Sequence, residues 1–338
     1  MEQLLFLTIL IGFLLTVATL PKWIKKCENI GLLWEDMNKY NKPNCAASGG
    51  IIVIMAFVIS VLSYIAIRTF VLDYSNGITT EIFALLTVIL ILALIGFADD
   101  LLGWKHGGLS WRFRILLAFL ASIPLIVINS GESIINIPFF GSVNLGLIYP
   151  LIIIPIGIAG ATTTYNFLAG FNGLEAGQGI IILSFLSFIA YATGSTWLAL
   201  IGFIMVASLV GFYLYNKFPA KVFPGDVLTW SVGALIGCMA ILGNFERIAV
   251  FIFIPYIAET ILKLRGRLKK QSFGIPNKDG SLEMPYDKIY GLTHLSIFIL
   301  KKFKKRVYET DIAYLIFAIQ IIICFLALLI FRGTLFIQ

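Results

Sequence analysis

Residues 82–100 read IFALLTVILILALIGFADD, seventeen residues without a charge closed by two adjacent aspartates. A hydrocarbon layer about 30 Å thick is crossed by about 20 apolar helical residues, with about 17–25 tolerated. The run therefore reads as a membrane-spanning helix with carboxylates at one end. Working outward from it, nine further segments have the same character: 4–20, 49–70, 115–130, 146–164, 177–193, 197–215, 227–242, 248–262 and 312–331. The stretch 133–174 has no charge at all, and its first part is set apart as a loop because Pro138, Gly141 and Asn144 cluster there. The ninth segment is the weakest, being short and carrying Glu259. The expected fold is an all-α integral membrane protein of ten transmembrane helices, a single polytopic domain over residues 1–338.

Composition points the same way. Of 338 residues, 59% are apolar and 13% charged, and the mean hydropathy is +0.95. A soluble domain has about a quarter of its residues charged, so roughly 40 charges are missing for that class. The net charge of +7 does not indicate nucleic-acid binding, because the basic residues sit between apolar spans. Cys27, Cys45, Cys238 and Cys324 form no CxxC pair and read as isolated thiols. Segment 4–20 lacks a basic n-region and an A-x-A site, so it reads as a first span rather than a cleaved signal.

Lys and Arg are divided unevenly among the connections. The odd-numbered ones hold five (21–48), three (99–114), none (165–176), two (216–226) and twelve (263–311), together 22 of 25. Arg68, Arg247 and Arg332 lie on the other side. The positive-inside rule then places the odd connections in the cytoplasm and both termini outside, in a multi-pass protein of the cell membrane. The connection 263–311 is the one substantial insertion outside the bilayer. Asn277-Lys278-Asp279-Gly280 within it reads as the turn of a small β-hairpin. Residues 290–307 place Leu292, Leu295, Ile299, Phe303 and Val307 on one helical face, with Lys301, Lys302, Lys304, Lys305 and Arg306 around it. That is the pattern of an interfacial amphipathic helix against anionic membrane lipids. No 20–50-residue repeat and no inverted pair of Gly/Pro-broken spans is visible.

The few polar residues at span ends gather on the cytoplasmic face: Asp99-Asp100 after the third span, Asn166 and Asn172 after the fifth, Asp226 before the eighth. A carboxylate at a helix C-terminus opposes the macrodipole, and near hydrocarbon it needs a cation or strong donors. Asp226 at a helix start could be an ordinary cap. Hard oxygen ligands beside a bilayer suit Mg²⁺ shared with substrate phosphates. His106 and His294 are too few and too far apart for a zinc motif. Arg112, Arg114, Lys217, Lys221 and the basic residues of 263–270 could clamp phosphate oxygens, although each alone is more simply a snorkelling side chain. The set reads as phosphoryl chemistry at the cytoplasmic surface.

Together, Asn166-x₅-Asn172-Gly-Leu-Glu-Ala-Gly-Gln, Phe223-Pro-Gly-Asp226 and Gly-Phe-Ala-Asp99-Asp100 resemble the polyprenyl-phosphate N-acetylhexosamine-1-phosphate transferases, glycosyltransferase family 4. The nearest branch makes dolichyl-diphosphate-N-acetylglucosamine. Glu35-Asp36-Met37-Asn38-Lys39 with Pro43, and Gly280-Ser281-Leu282-Glu283-Met284, extend the resemblance over about residues 20–335.

The resemblance implies that a dolichyl or other polyprenyl phosphate attacks the β-phosphorus of UDP-N-acetylglucosamine and expels UMP, as in the first step of N-glycan precursor assembly. It implies Mg²⁺ on Asn166 and Asp226; a hard oxygen site of that kind would also tolerate Mn²⁺ as a partial substitute. Asn172 would contact the nucleotide sugar, and Glu35, Asp36 and Met37 would lie against the nucleotide. Ala159, Gly160, Ala161, Thr162, Thr163, Thr164, Tyr165, Asn166 and Phe167 would line the lipid-phosphate groove. Asp99 and Asp100 match a pair acting as base or as orienting groups. Orientation is favoured, because a phosphate monoester with a second pKa of about 6 is already largely ionised. Three departures stand out: Arg114 replaces a diphosphate-binding lysine, Asn44 replaces a glutamate, and Lys269-Lys270-Gln271 aligns loosely with an Arg-His-Arg-like stretch. They leave the sugar open, and with it a different UDP-N-acetylhexosamine for another surface polymer. A homodimer is allowed. The rival from another class is a transporter or flippase for lipid-linked or anionic solutes, which would bury charges along a path through the spans; here only Glu259 lies mid-span.

Overall fold

The computed structural model describes residues 3–73, 77–137 and 141–336. In chain order its elements are α1 (Gln3–Ile30), β1 (Leu33–Glu35), β2 (Asn44–Ala46), α2 (Gly50–Phe70), α3 (Ile78–His106), α4 (Trp111–Ala121) and α5 (Ile123–Val127). Next come β3 (Ile134–Ile137), β4 (Gly141–Asn144), a π-helical turn (Tyr149–Ile153), α6 (Ile154–Phe167), α7 (Leu174–Ala192), α8 (Thr196–Asn216) and α9 (Asp226–Leu242). The chain ends with α10 (Glu246–Ile252), α11 (Ile254–Arg265), β5 (Ile275–Pro276), β6 (Leu282–Glu283), α12 (Leu292–Leu300) and α13 (Glu309–Phe336). The three strand pairs are small antiparallel hairpins, so the fold is a helical bundle with short loop decorations.

Among the described residues, seven helical segments are long and apolar enough to cross a membrane: α1, α2, α3 to Gly103, the π-turn with α6, α7, α8, and α13 to Gly333. This is a multi-pass membrane protein. Two of the remaining three expected spans differ from the single long helix that sequence suggests. The fourth is broken at Ser122 into α4 and α5, and the ninth at Phe253 into α10 and α11. Each break is followed within two residues by a proline, Pro124 and Pro255, which has no N–H for the i−4 carbonyl and clashes with it. The eighth is α9, at 17 residues just short of the others.

Two connections also depart from expectation. The loop after α5 contains the hairpin β3–β4, pairing Ile134 with Asn144 and Ile137 with Gly141; Pro138 lies outside the described residues. The amphipathic helix is shorter than residues 290–307, ending at Leu300, and its inward face is Thr293, His294, Ser296 and Ile297. Phe298 and Phe303 point outward, the latter 82% exposed. Of the stripe read from the sequence only Val307 is buried, Leu292, Leu295 and Ile299 being half-buried, while inside the insertion Thr293 Oγ1 donates to Ser272 O (2.9 Å). In the same insertion β5 and β6 pair around Asn277–Gly280, where Gly280 takes the positive φ of the turn.

The helix α9 is buried on all sides, from Val227 to Ile241. A helix apolar all round belongs at a bundle centre, and α3, α6, α2 and α7 surround it. By contrast, α1 and α13 present Phe6, Leu10, Leu14, Ile322, Phe325 and Leu329 outward, as a lipid-facing perimeter does. Backbones approach closely where side chains are small. A Cβ at Gly96 of α3 would meet Asp226 O at 2.6 Å, and one at Gly233 of α9 would meet Thr162 Cα at 2.7 Å. Gly96 thus brings α3 against the start of α9, and Gly233 brings the middle of α9 against α6. The four cysteines are all buried and free.

Candidate active site

The segment Phe223-Pro224-Gly225-Asp226 is held by backbone pairing with the end of β2 and the residues that follow it. Phe223 N donates to Ala46 O (2.8 Å), Gly49 N to Phe223 O (2.9 Å) and Gly50 N to Pro224 O (2.9 Å). Gly225 has φ 72° and ψ 169°, a region open essentially to glycine, and a Cβ there would overlap the Asp100 carboxylate. Asp100 Oδ1 accepts from Asp226 N (2.7 Å) and its Oδ2 from Val227 N (3.4 Å). A carboxylate on α3 thus caps the positive end of α9. The aspartate pair is not at the end of its helix, since α3 runs on to His106. The start of α9 supplies the compensation that the end of α3 could not.

Asp99, 4% exposed, turns toward the α3–α4 loop. It pairs with Arg114 Nη2 (2.7 Å) and accepts from Leu109 N (2.5 Å). Arg114 Nη1 reaches Asp226 Oδ2 at 3.2 Å, and its Nε donates to Leu109 O at 3.0 Å. One guanidinium therefore bridges two carboxylates, with a third beside them. Three acidic side chains against one cation leave the start of α9 short of positive charge.

The Asn166 amide lies across from this group. One of its terminal atoms is 2.9 Å from Thr229 Oγ1 and 3.3 Å from Asp226 Oδ1, and the other is 3.2 Å from Trp230 Nε1. With its nitrogen toward Asp226 the amide satisfies all three neighbours. With its oxygen toward Asp226, two acceptors face each other, which suits a shared cation. Among the described residues no three His, Cys, Asp or Glu side chains converge as a metal cage. Mg²⁺ usually takes one or two carboxylates plus substrate phosphates, so the donor set of Asn166 and Asp226 fits the Mg²⁺ that the resemblance implies.

These groups border a cleft of about 720 Å³. Leu33, Trp34, Glu35, Asp36, Met37 and Asn44 of the first loop form one wall. Asp100, Asn166, Asp226 and Thr229 lie on the helix side, Gly170, Phe171, Glu175 and Asn216 on another, and Gln271 and Phe273 close it from the last insertion. The hairpin pair Glu35–Asn44 puts both residues in the wall. Burial, with the Asp36 carboxylate adding, pushes the Cys45 thiol up to about 11. It stays a neutral donor, bonded to Ala220 O at 3.3 Å.

A family model described as glycosyl transferase family 4 matches residues 82–244. The chain is 33% identical over 326 residues to a protein of Sulfolobus acidocaldarius, covering 96% of this chain and 95% of that one. It is 36% identical over 305 residues to a protein of Saccharolobus solfataricus, covering 89% and 90%. The chain belongs to glycosyl transferase family 4. Both archaeal proteins carry, provisionally, the name UDP-N-acetylglucosamine–dolichyl-phosphate N-acetylglucosaminephosphotransferase. A Dictyostelium discoideum protein bearing that name without qualification is 27% identical over 300 residues, 78% of this chain and 71% of that one.

Within this family 4 chain, the structure brings Glu35, Asp36, Met37, Asn44, Asp100, Asn166, Asp226 and Gln271 to one cleft, with Asp99 and Arg114 joined to Asp226. Other expected residues lie elsewhere. Asn172 is buried behind the wall, its side chain bonded to Asp36 and Glu309. Lys269 and Lys270 do not line the cleft; Lys270 Nζ sits 4.6 Å from the Tyr286 ring. Of 159–167 only Asn166 lines it. Ala159, Thr162 and Tyr165 turn into the bundle, where Tyr165 stacks on Tyr256 and donates to Glu175 O (2.6 Å). Gly160, Ala161, Thr163, Thr164 and Phe167 keep part of their surface outside.

Sequence reasoning missed Trp34, Ser48, Asn216, Thr229 and Phe273 in the cleft and Glu309 behind it. Asn216 could have been found as an amide ending the seventh span on the same face. For Phe273 no sequence signal exists.

Proposed function

We propose that this chain transfers N-acetylglucosamine 1-phosphate from UDP-N-acetylglucosamine to dolichyl or a related polyprenyl phosphate at the cytoplasmic face of the cell membrane. The products are lipid-diphosphate-N-acetylglucosamine, a first intermediate for N-glycan assembly, and UMP. The observation that carries this reading is the meeting of Asp99, Asp100, Asp226, Asn166 and Arg114 at the start of a buried helix, at the mouth of a cleft in a membrane bundle. Names of relatives at 33% and 36% identity support the same reaction.

Phosphoryl transfer needs in-line positioning and charge neutralisation more than covalent help. A lipid phosphate oxygen forms a bond to the β-phosphorus while the bond from that phosphorus to the bridging oxygen breaks, and UMP leaves with the bridging oxygen. Asn166 and Asp226 would hold Mg²⁺, which neutralises phosphate oxygens when bound. Arg114 adds a forked donor whose orientation Asp99 and Leu109 O set. Asp100 fixes the Asp226 backbone. No proton need be taken from an acceptor already ionised near neutral pH, so both aspartates act as orienting groups. The partly exposed face of 160–167 offers the lipid phosphate its approach from the membrane.

Adding α9 and the broken helices α4–α5 and α10–α11 to the seven long segments makes ten crossings. With 22 of 25 basic residues in the odd connections, that count supports both termini outside and the cleft in the cytoplasm. The test is UMP release by purified protein given dolichyl phosphate, Mg²⁺ and, separately, UDP-N-acetylglucosamine, UDP-N-acetylgalactosamine and UDP-glucose. Release that is fastest with the first supports the reading; preference for another sugar moves the specificity, and release with none refutes the reaction.

A further inference from the structure

Behind the cleft wall, four segments far apart in sequence meet on buried charges. Glu309, the first residue of α13 and 3% exposed, accepts from Asn172 N through Oε1 (2.6 Å) and from Asn172 Nδ2 through Oε2 (3.1 Å). Asp36 Oδ2 accepts from the same Nδ2 at 2.9 Å. Lys39 forms an ion pair with Glu309 and lies 3.2 Å from Asp36 Oδ2, its ammonium 4.6 Å from the centre of the Phe218 ring. Alongside, Asn38 donates to Gly170 O (2.7 Å) and accepts from Gly274 N (3.0 Å).

This network is more than a fastening. Both N–H groups of the Asn172 amide and its backbone N–H are taken by carboxylates, so the amide cannot turn over. A buried carboxylate is costly unless paired and fully hydrogen-bonded, and Glu309 is both. Its neighbours continue directly into the wall: Asp36 and Met37 on one side, Gly170 and Phe171 on the other, Phe273 next to Gly274. That rim is built from loops, away from the apolar helices by which a lipid arrives, so it is where the water-soluble substrate enters.

We infer that Glu309 is a positioning residue: from the first turn of the last helix it sets, through Asn172, Lys39 and Asp36, the loop rim that receives the nucleotide sugar. Glu309→Gln keeps one acceptor but turns an NH₂ toward either Asn172 or Lys39. Lys39→Met leaves two carboxylates facing each other and should act on the same step. This inference rests on the proposed transferase reaction, which the wild-type protein tests in the same assay.

The experiment measures kcat and KM for each substrate, with thermal unfolding in detergent, for wild type, Glu309→Gln, Glu309→Asp and Lys39→Met. The expected result is a KM for UDP-N-acetylglucosamine raised about tenfold or more in Glu309→Gln and Lys39→Met. The KM for dolichyl phosphate should stay within about twofold and kcat within about threefold, with Glu309→Asp partly rescued. Equal losses toward both substrates that follow a lowered Tm would make Glu309 merely structural and overturn the inference. Unchanged KM values in folded variants would overturn it as well. Should Glu309→Gln fail to fold, Glu309→Asp and Lys39→Met carry the same test. An inactive wild type would instead refute the reaction itself.

Discussion

Replacing Asp100 by asparagine separates orientation from proton abstraction. Asp100 makes two bonds to backbone N–H groups at the start of α9, at 2.7 Å to Asp226 and 3.4 Å to Val227. Hydrogen bonds to a charged group contribute about 1.5–3 kcal/mol each, and a charge at a helix N-terminus about 0.3–1 kcal/mol. An amide can keep the shorter bond, but it turns an NH₂ toward the Val227 N–H and removes the charge. The net loss of hold on Asp226 is about 2–3 kcal/mol, or about 30–150-fold in kcat/KM if it is felt fully in the transition state. An orienting charge is not restored by ionising the nucleophile, so the loss should be flat from pH 6 to 9. Asp99→Asn should follow the same flat course with a smaller defect, because Asp99 acts on Asp226 only through Arg114. The assay is kcat/KM for dolichyl phosphate in both variants across that range. A relative recovery of tenfold or more toward pH 9 would refute orientation and assign that residue as a base, since the lipid phosphate would then ionise unaided above about 6.

Three further outcomes are expected. Asp226→Ala should abolish UMP release, excess EDTA should abolish it in the wild type, and Mn²⁺ should restore part of it; full activity in EDTA would contradict the metal assignment. A cysteine at Asp279 should react with an impermeant thiol reagent only from the cytoplasm and one at Asn244 only from outside. The four native cysteines are buried and leave a low background, and labelling of both positions from one side would overturn the crossing count. Burial, with the Lys263 ammonium adding, pushes His294 down to about 4, against about 6.5 in an unfolded chain. Between those values the unfolded chain binds a proton that the folded chain does not. Stability should therefore be complete above pH 6.5 and fall as pH drops toward 4, by about 3 kcal/mol in all. Thermal unfolding from pH 7 to 4.5 measures this, and an equal fall in His294→Gln would remove His294 as the cause.

The helical membrane class was legible because hydrocarbon demands long apolar runs, and the motif residues were legible because their chemistry is out of place beside a bilayer. What the sequence hid has physical reasons. Pro124 and Pro255 break helices inside windows whose average hydropathy still reads as one span. The contacts of Asn172 with Asp36 and Glu309 join residues 136 and 137 apart in sequence, which no local pattern reveals. Asp100 looked exposed to an unfavourable helix end, whereas its stabilising partner is the start of a different helix. On the inward face of α12, Thr293 Oγ1 donates to Ser272 O (2.9 Å) and the Leu292 N–H to buried Glu259, partners on other elements that no helical period shows.

The central claim is that sugar and phosphate travel together from the nucleotide to the lipid. Purified protein supplied with dolichyl phosphate, Mg²⁺ and UDP-N-acetylglucosamine labelled both in the sugar and at the β-phosphorus tests it directly, by counting each label in the extracted lipid. Both labels should enter the lipid in equal amounts, matched by UMP in the aqueous phase. Sugar label without phosphate label and release of UDP, or no lipid-bound label with either, would contradict it.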